Sequence, residues 1–242
     1  MRVPCLAALA AGAGVAGASV VSAGAWAVRG RSSDLFGPSV WHGRRDRKSV
    51  ALTFDDGPSE STPAVLDCLS HHQARATFFQ CGSNALRLPE IARAVAENGH
   101  EIGNHSHTHP NFALQRPEFI HNEFARAQQA ISSATGTEPR LMRAPYGVRW
   151  FGFREMQAGL RLTGVMWSVI GLDWKLDASA IAARILRHVE PGAIICLHDG
   201  RATRTQPDLA PLLKALPSIV SSLCENGYHL ETVSQLLCPT TN

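Results

Sequence analysis

The feature that most constrains this chain is an alternation. Short apolar runs and stretches with helical spacing follow one another from Ser49 to Val233. Strands are expected at Ser49 to Phe54, Ala76 to Phe79, His100 to Asn104, Arg140 to Arg143, Leu162 to Val169 and Ala193 to Leu197, and Tyr228 to Val233 closes the pattern. Between them, Ser61 or Thr62 caps a helix with Pro63 in its first turn, and further helices are expected at Pro89 to Glu97, Ala178 to His188 after Asp177, and Leu209 to Asn226. The clearest is Pro117 to Thr135, where Ile120, Phe124, Ala127 and Ile131 share one face and Gly136 ends the helix. About seven strands separated by helices imply a parallel sheet, because a parallel crossover needs an intervening element. Periodicity leaves a closed barrel and a doubly wound sheet equally open.

Reactive side chains fall at or just past the strand ends: Asp55, Asp56, Arg143, Asp173 and His198. In α/β architectures that edge is where active sites are built. Thr53-Phe54-Asp55-Asp56-Gly57-Pro58 closes the first strand with two adjacent carboxylates and then turns, which can bring both into one cavity. Two carboxylates held together need a cation or a shared proton. His105-Ser106-His107-Thr108-His109 offers partners for a cation, since His105 and His109 would share a face on one helical turn. Two imidazole nitrogens and one Asp oxygen make an open zinc-type site, and the other Asp is left free as a base. His107 would point off that face as a bystander. Taken singly, the first stretch reads as a solvated turn and the second as a surface pair. Together, each after an apolar run, they read as a hydrolase site.

These two stretches resemble the first two motifs of the polysaccharide deacetylases, the NodB-homology domain of carbohydrate esterase family 4. The likeness continues through Arg143-Ala144-Pro145-Tyr146-Gly147, Asp173-Trp174 and Leu197-His198-Asp199, in the family's order, over roughly Ser49 to Cys238. It implies a distorted (β/α) barrel with about seven parallel strands as a single catalytic domain over residues 49–238. It also implies a divalent ion, Zn2+ first and Co2+, Ni2+ or Mn2+ next, held by Asp56, His105 and His109. By the same resemblance Asp55 is the general base, fixed by Arg143, and His198 is the catalytic acid, oriented and raised in pKa by Asp173. The backbone N–H of Tyr146 would help hold the oxyanion, and Trp174 would wall the sugar groove.

Two positions depart from the family pattern. A further Asp often stands three residues before the Asp-Trp pair, where this chain has Ile170. The last motif is commonly Leu-x-His, its leucine lining the acetate-methyl pocket, and here that residue is Cys196. Cysteine is smaller but still apolar, so the departure bears on acyl-group preference. A Cys196–His198 nucleophilic mechanism is disfavoured, because a thiol on a buried apolar strand is inert.

Val3 to Val28 carries no charged residue and follows Arg2. Residues 1–28 therefore read as a secretory signal, with Ala25-Trp26-Ala27 as a cleavage site, or as an uncleaved membrane anchor, and both remain open. Residues 29–48, rich in Gly, Ser and Arg, read as a linker. Either reading of the N-terminus puts the catalytic domain outside the cytoplasm, with membrane contact only through that segment. Of the six cysteines, Cys5 lies in that segment, and the odd remainder argues against a complete disulfide framework. A formal charge of +3 gives no reason to expect nucleic acid. The expected activity is metal-dependent removal of N-acetyl groups from N-acetylglucosamine-containing polysaccharide: peptidoglycan, chitin-like oligomers or poly-N-acetylglucosamine. The alternatives are an O-acetyl xylan esterase, a small-molecule amidohydrolase and an inactive carbohydrate-binding envelope protein.

Overall fold

In the computed structural model, which describes residues 24–238, the elements run in order as follows. β1 (Ser39–Val40), β2 (Ser49–Asp55), α1 (Thr62–His71), β3 (Ala76–Gln80), α2 (Gly82–Arg87), α3 (Pro89–Glu97), β4 (Glu101–Asn104) and α4 (Pro117–Thr135) form the first half. β5 (Leu141–Met142), a 3-10 turn (Pro145–Gly147), α5 (Phe153–Leu160), β6 (Thr163–Val165), β7 (Val169–Ile170), α6 (Ala178–His188), β8 (Ile194–His198), α7 (Ala210–Glu225), β9 (His229–Leu230) and α8 (Val233–Leu237) complete it. Every strand pairing is parallel, in the order β1-β6-β5-β4-β3-β2-β8-β7, with β9 added beside β2.

The apolar run expected as one strand over Leu162 to Val169 is two strands, β6 second from one end of this order and β7 at the other end. Only Met166, Trp167 and Ser168 lie between β6 and β7. Four Cα steps reach at most about 14 Å, so the sheet must curl until its ends nearly meet. That is the distorted barrel, with an isolated antiparallel bridge between His42 and Ala193 across from β8.

Alternation along the strands sorts the two faces. Val50, Leu52 and Phe54 of β2, Phe78 of β3, and Ile195 and Leu197 of β8 point outward into the main core under α1, α3, α6 and α7. Each is fully buried, a contribution of about 1.5–3 kcal/mol per side chain. The intervening residues, Ala51, Phe79, Leu141, Val165 and Ile194, form a smaller inner cluster. Two residues further along the same inner face come Thr53 and Asp55 on β2, Cys196 and His198 on β8, and Arg143 just past β5. The reactive residues therefore share the concave face by strand parity alone.

The stretch read as a linker is packed onto the domain. β1 pairs with β6, placing Ser39 beside Gly164, and the buried Arg149 guanidinium donates to the Ser33 carbonyl at 2.6 Å and to Ser39 Oγ at 3.2 Å. Pairing in the sheet and a buried arginine explain the difference, since neither is visible in a Gly/Ser/Arg-rich composition. Residues 1–23, the bulk of the expected signal or anchor, lie outside the described residues. Among those described, no helix is long and apolar enough to cross a membrane.

Candidate active site

β2 ends at Asp55, and the next residue, Asp56, takes a left-handed φ of 73°. That reversal keeps adjacent carboxylates from diverging as they would along a strand, and both line one groove of about 1020 Å³. Gly57 is required behind them: a Cβ there would lie 2.2 Å from the Asp199 carboxylate. Asp199 is locked by the Thr62 hydroxyl, which donates at 2.6 Å, and burial raises its carboxyl to about 7.

Asp55 is buried, and its Oδ1 accepts from Arg143 at 2.6 Å. Arg143 is wholly buried and also donates to Thr53 Oγ1 at 2.7 Å and to the Val165 and Met166 carbonyls, while its guanidinium lies 4.2 Å over the Phe79 ring. Such a buried charge is costly unless it is paired and hydrogen-bonded, and both conditions are met here. Cys196 Sγ stands 3.5 Å from Asp55 Oδ2. Burial, and then the Asp55 charge, push that thiol well above its usual range, so it is not a nucleophile.

His105 and His109 do not sit on a helical turn. Residues 105–109 form a loop with left-handed residues at Ser106 (φ 66°) and His109 (φ 59°). Buried polar groups dictate its path: the Glu123 carboxylate on α4 accepts from the His107 and Thr108 N–H groups at 3.1 and 2.8 Å, and Asn104 Oδ1 accepts from Ser106 N–H. The loop nevertheless brings both imidazoles to Asp56, with His105 Nε2 at 3.3 Å and His109 Nε2 at 3.0 Å from Oδ1. His107 is buried away from this cluster, and burial lowers its pKa.

This donor set fits a divalent ion. His105 Nδ1 lies 2.8 Å from the Arg143 carbonyl, which can only accept, so Nδ1 carries the proton. In the neutral ring Nε2 then turns a lone pair toward Asp56 Oδ1, a buried oxygen with no hydrogen-bond donor. Two acceptors face each other, as ligand atoms about 2 Å from a shared cation do. The other Asp56 oxygen, Oδ2, is held by Ala202 N–H at 2.8 Å.

On the opposite wall His198 ends β8, with Nδ1 2.9 Å from Asp173 Oδ1. Arg201 clamps that carboxylate from its other side at 3.1 Å. Burial pushes the His198 ring down, but Asp173, and then Asp56 and Asp55, outweigh burial and raise it to about 9. Trp174 meets the ring edge-on at 4.9 Å. Trp174 and Tyr146 are 48% and 51% exposed and stand as two aromatic walls of the groove, and Tyr146 is held in a left-handed conformation (φ 58°). Ile170 and Cys196 also line the groove. The sequence reading missed Arg201, Trp167 and Glu123. Arg201, three residues past His198, was the one with a usable signal.

The protein-family model described as "Polysaccharide deacetylase" matches residues 42–163. A chitooligosaccharide deacetylase of Bradyrhizobium sp. (strain ANU 289) is 37% identical over 198 residues, 78% of this chain and 90% of that protein. The peptidoglycan-N-acetylglucosamine deacetylase PgdA of Listeria monocytogenes is 34% identical over 79% of this chain, which spans 39% of that longer protein. A crystal structure of a peptidoglycan N-acetylglucosamine deacetylase superposes with a TM-score of 0.76 at 32% identity, covering 81% of this chain and 91% of its own.

Proposed function

The chain belongs to the polysaccharide deacetylase family, and from that premise we propose that it hydrolyses N-acetyl groups on N-acetylglucosamine-containing glycans outside the cytoplasm, using one divalent ion held by Asp56, His105 and His109. The observation that carries this is the His105 lone pair turned onto a donor-less Asp56 oxygen, with a second carboxylate, Asp55, beside it in the same groove. Zn2+ suits two imidazoles and a carboxylate best, followed by Co2+, Ni2+ and Mn2+.

When bound, that ion supplies Lewis-acid polarisation of the scissile carbonyl and acidifies a water molecule. Asp55 takes the proton of the attacking water, because Arg143 occupies its Oδ1 and leaves Oδ2 toward the groove. His198, protonated at neutral pH, gives its Nε2 proton to the departing amine and is held in orientation by Asp173, which accepts from its Nδ1. Arg201 fixes Asp173 in turn. The Tyr146 N–H joins in holding the oxyanion, Trp174 walls the sugar site, and Cys196 borders the acyl pocket. An inactive binding protein would have no use for a complete Asp55, Asp56, His105 and His109 set. Peptidoglycan and chitooligosaccharides are the substrates to test first, since relatives acting on each are similar to this chain.

Mass spectrometry of chitooligomers and of peptidoglycan fragments, after incubation with Zn2+-loaded protein, tests the reading. Loss of acetyl groups from one of them, abolished by chelation, is expected. Release of acetate only from acetylated xylan would replace the amide substrate by an ester.

A further inference from the structure

Asp55, Cys196 and His198 form a second convergent donor set. The register of β2 and β8 creates it, pairing Thr53 with Cys196 and Asp55 with His198, so alternation turns all three side chains to the concave face. One ligand atom from each lies within 4.8 Å of the other two, and Sγ is 3.5 Å from Asp55 Oδ2. Asp55 Oδ1 is engaged by Arg143, and His198 Nδ1 by Asp173, so Oδ2 and Nε2 are the atoms left to ligate. A carboxylate behind the ring is the support that metal-bound histidines usually have. All three residues line the same groove, so an ion in solution can reach them.

We propose that Cys196, His198 and Asp55 are an inhibitory site for a second, thiophilic divalent ion such as Zn2+ or Cd2+, filled after the Asp56–His105–His109 set. The inference rests on the reading of Asp55 as base and His198 as acid, because the second ion takes the lone pair the base needs and displaces the proton the acid must give. As the metal bonds form, the Cys196 S–H bond and the His198 Nε2–H bond both break and the two protons leave to solvent, with no change of oxidation state. Asp55, Asp56 and Asp173 line the same groove, and their carboxylates would offset the added charge. Without the thiol only two donors remain.

The test is a Co2+ titration of the metal-free, folded protein, followed by absorption and proton release. The first equivalent is expected to bind without a thiolate-to-cobalt charge-transfer band, and the second, at neutral pH, to bring that band and release two protons, one from the thiol and one from His198. Cys196→Leu and Cys196→Ser are each expected to lose the band. The Cys224→Ser/Cys238→Ser double variant, which removes the two exposed thiols, is expected to keep it. In parallel, Zn2+ beyond one equivalent should inhibit acetate release. Measured against each variant's own rate at one equivalent, the inhibition constant should rise at least about ten-fold without Cys196. A second equivalent with no thiolate band, or a band that survives in both Cys196 variants, overturns the proposal. A protein that takes up no first equivalent overturns the Asp56–His105–His109 reading, and the second site falls with it.

Discussion

Arg143 holds His105 with its main chain and Asp55 with its side chain. Its carbonyl accepts from His105 Nδ1 at 2.8 Å, and its guanidinium grips Asp55 Oδ1 at 2.6 Å. One buried residue thus fixes the tautomer of a proposed metal ligand and the position of the proposed base. The geometry of the two halves is coupled through a single Cα.

Arg143→Ala separates the two roles. The carbonyl survives, so folded protein should keep its divalent ion. The Asp55 carboxylate loses its buried partner, a change worth about 3–5 kcal/mol of stability when one member of a buried pair is removed. Denaturant unfolding and metal analysis of the folded fraction check both outcomes. Loss of the ion with unchanged stability would mean that the side chain supports the metal site and not Asp55.

Among the three histidines of the loop, His105→Ala should abolish metal uptake and His107→Ala should leave it intact, because only His105 and His109 approach Asp56. Metal stoichiometry on the purified variants decides this. A His107→Ala protein that folds but carries no ion would redraw the ligand set.

His198 must be protonated to serve as the acid, so turnover should fall as pH rises through its folded value of about 9. Asp173→Asn removes the strongest upward influence and leaves burial, which pushes the ring down. The basic limb of the kcat profile should therefore move to lower pH by at least about one unit. An unmoved limb would assign it to a different group.

His100 gives a pH effect remote from the groove. Its Nδ1 accepts from the Ala76 N–H at 3.3 Å, and burial, then Arg75, lower its pKa to about 4. The folded value lies below the ordinary 6.5, so its contribution to stability is complete above pH 6.5 and is lost as pH falls toward 4. The loss is at most about 3 kcal/mol. Thermal melts of His100→Gln should decline less over that interval than those of the parent protein. Parallel declines would show that His100 charges freely in the fold.

Much of this was legible in the sequence because it is local. The helix expected at Pro117 to Thr135 is α4, residue for residue, since Pro117 starts it and Gly136, at φ 71°, ends it. The two aspartates at the end of β2 were legible for the same reason, as was the family. The path of residues 105–109 was not. It is set by Glu123 on another element, and a four-residue spacing of histidines looks the same in a helix and in that loop. Arg201, Trp167 and the strand pairing of Ser39–Val40 depend on contacts across the curled sheet, which no local pattern records. The break between β6 and β7 was hidden because both halves of the run are apolar and β-branched.

The central claim is a division of labour between neighbours: Asp56 binds the ion and Asp55 moves the proton. Asp55→Asn and Asp56→Asn, compared for metal content and for acetate release from an N-acetylglucosamine oligomer, test it most directly. Asp55→Asn should keep one ion and lose about 10²–10⁴-fold in turnover, the contribution of a general base, whereas Asp56→Asn should lose the ion itself. An Asp55→Asn protein that turns over normally, or that loses its ion, would contradict the account.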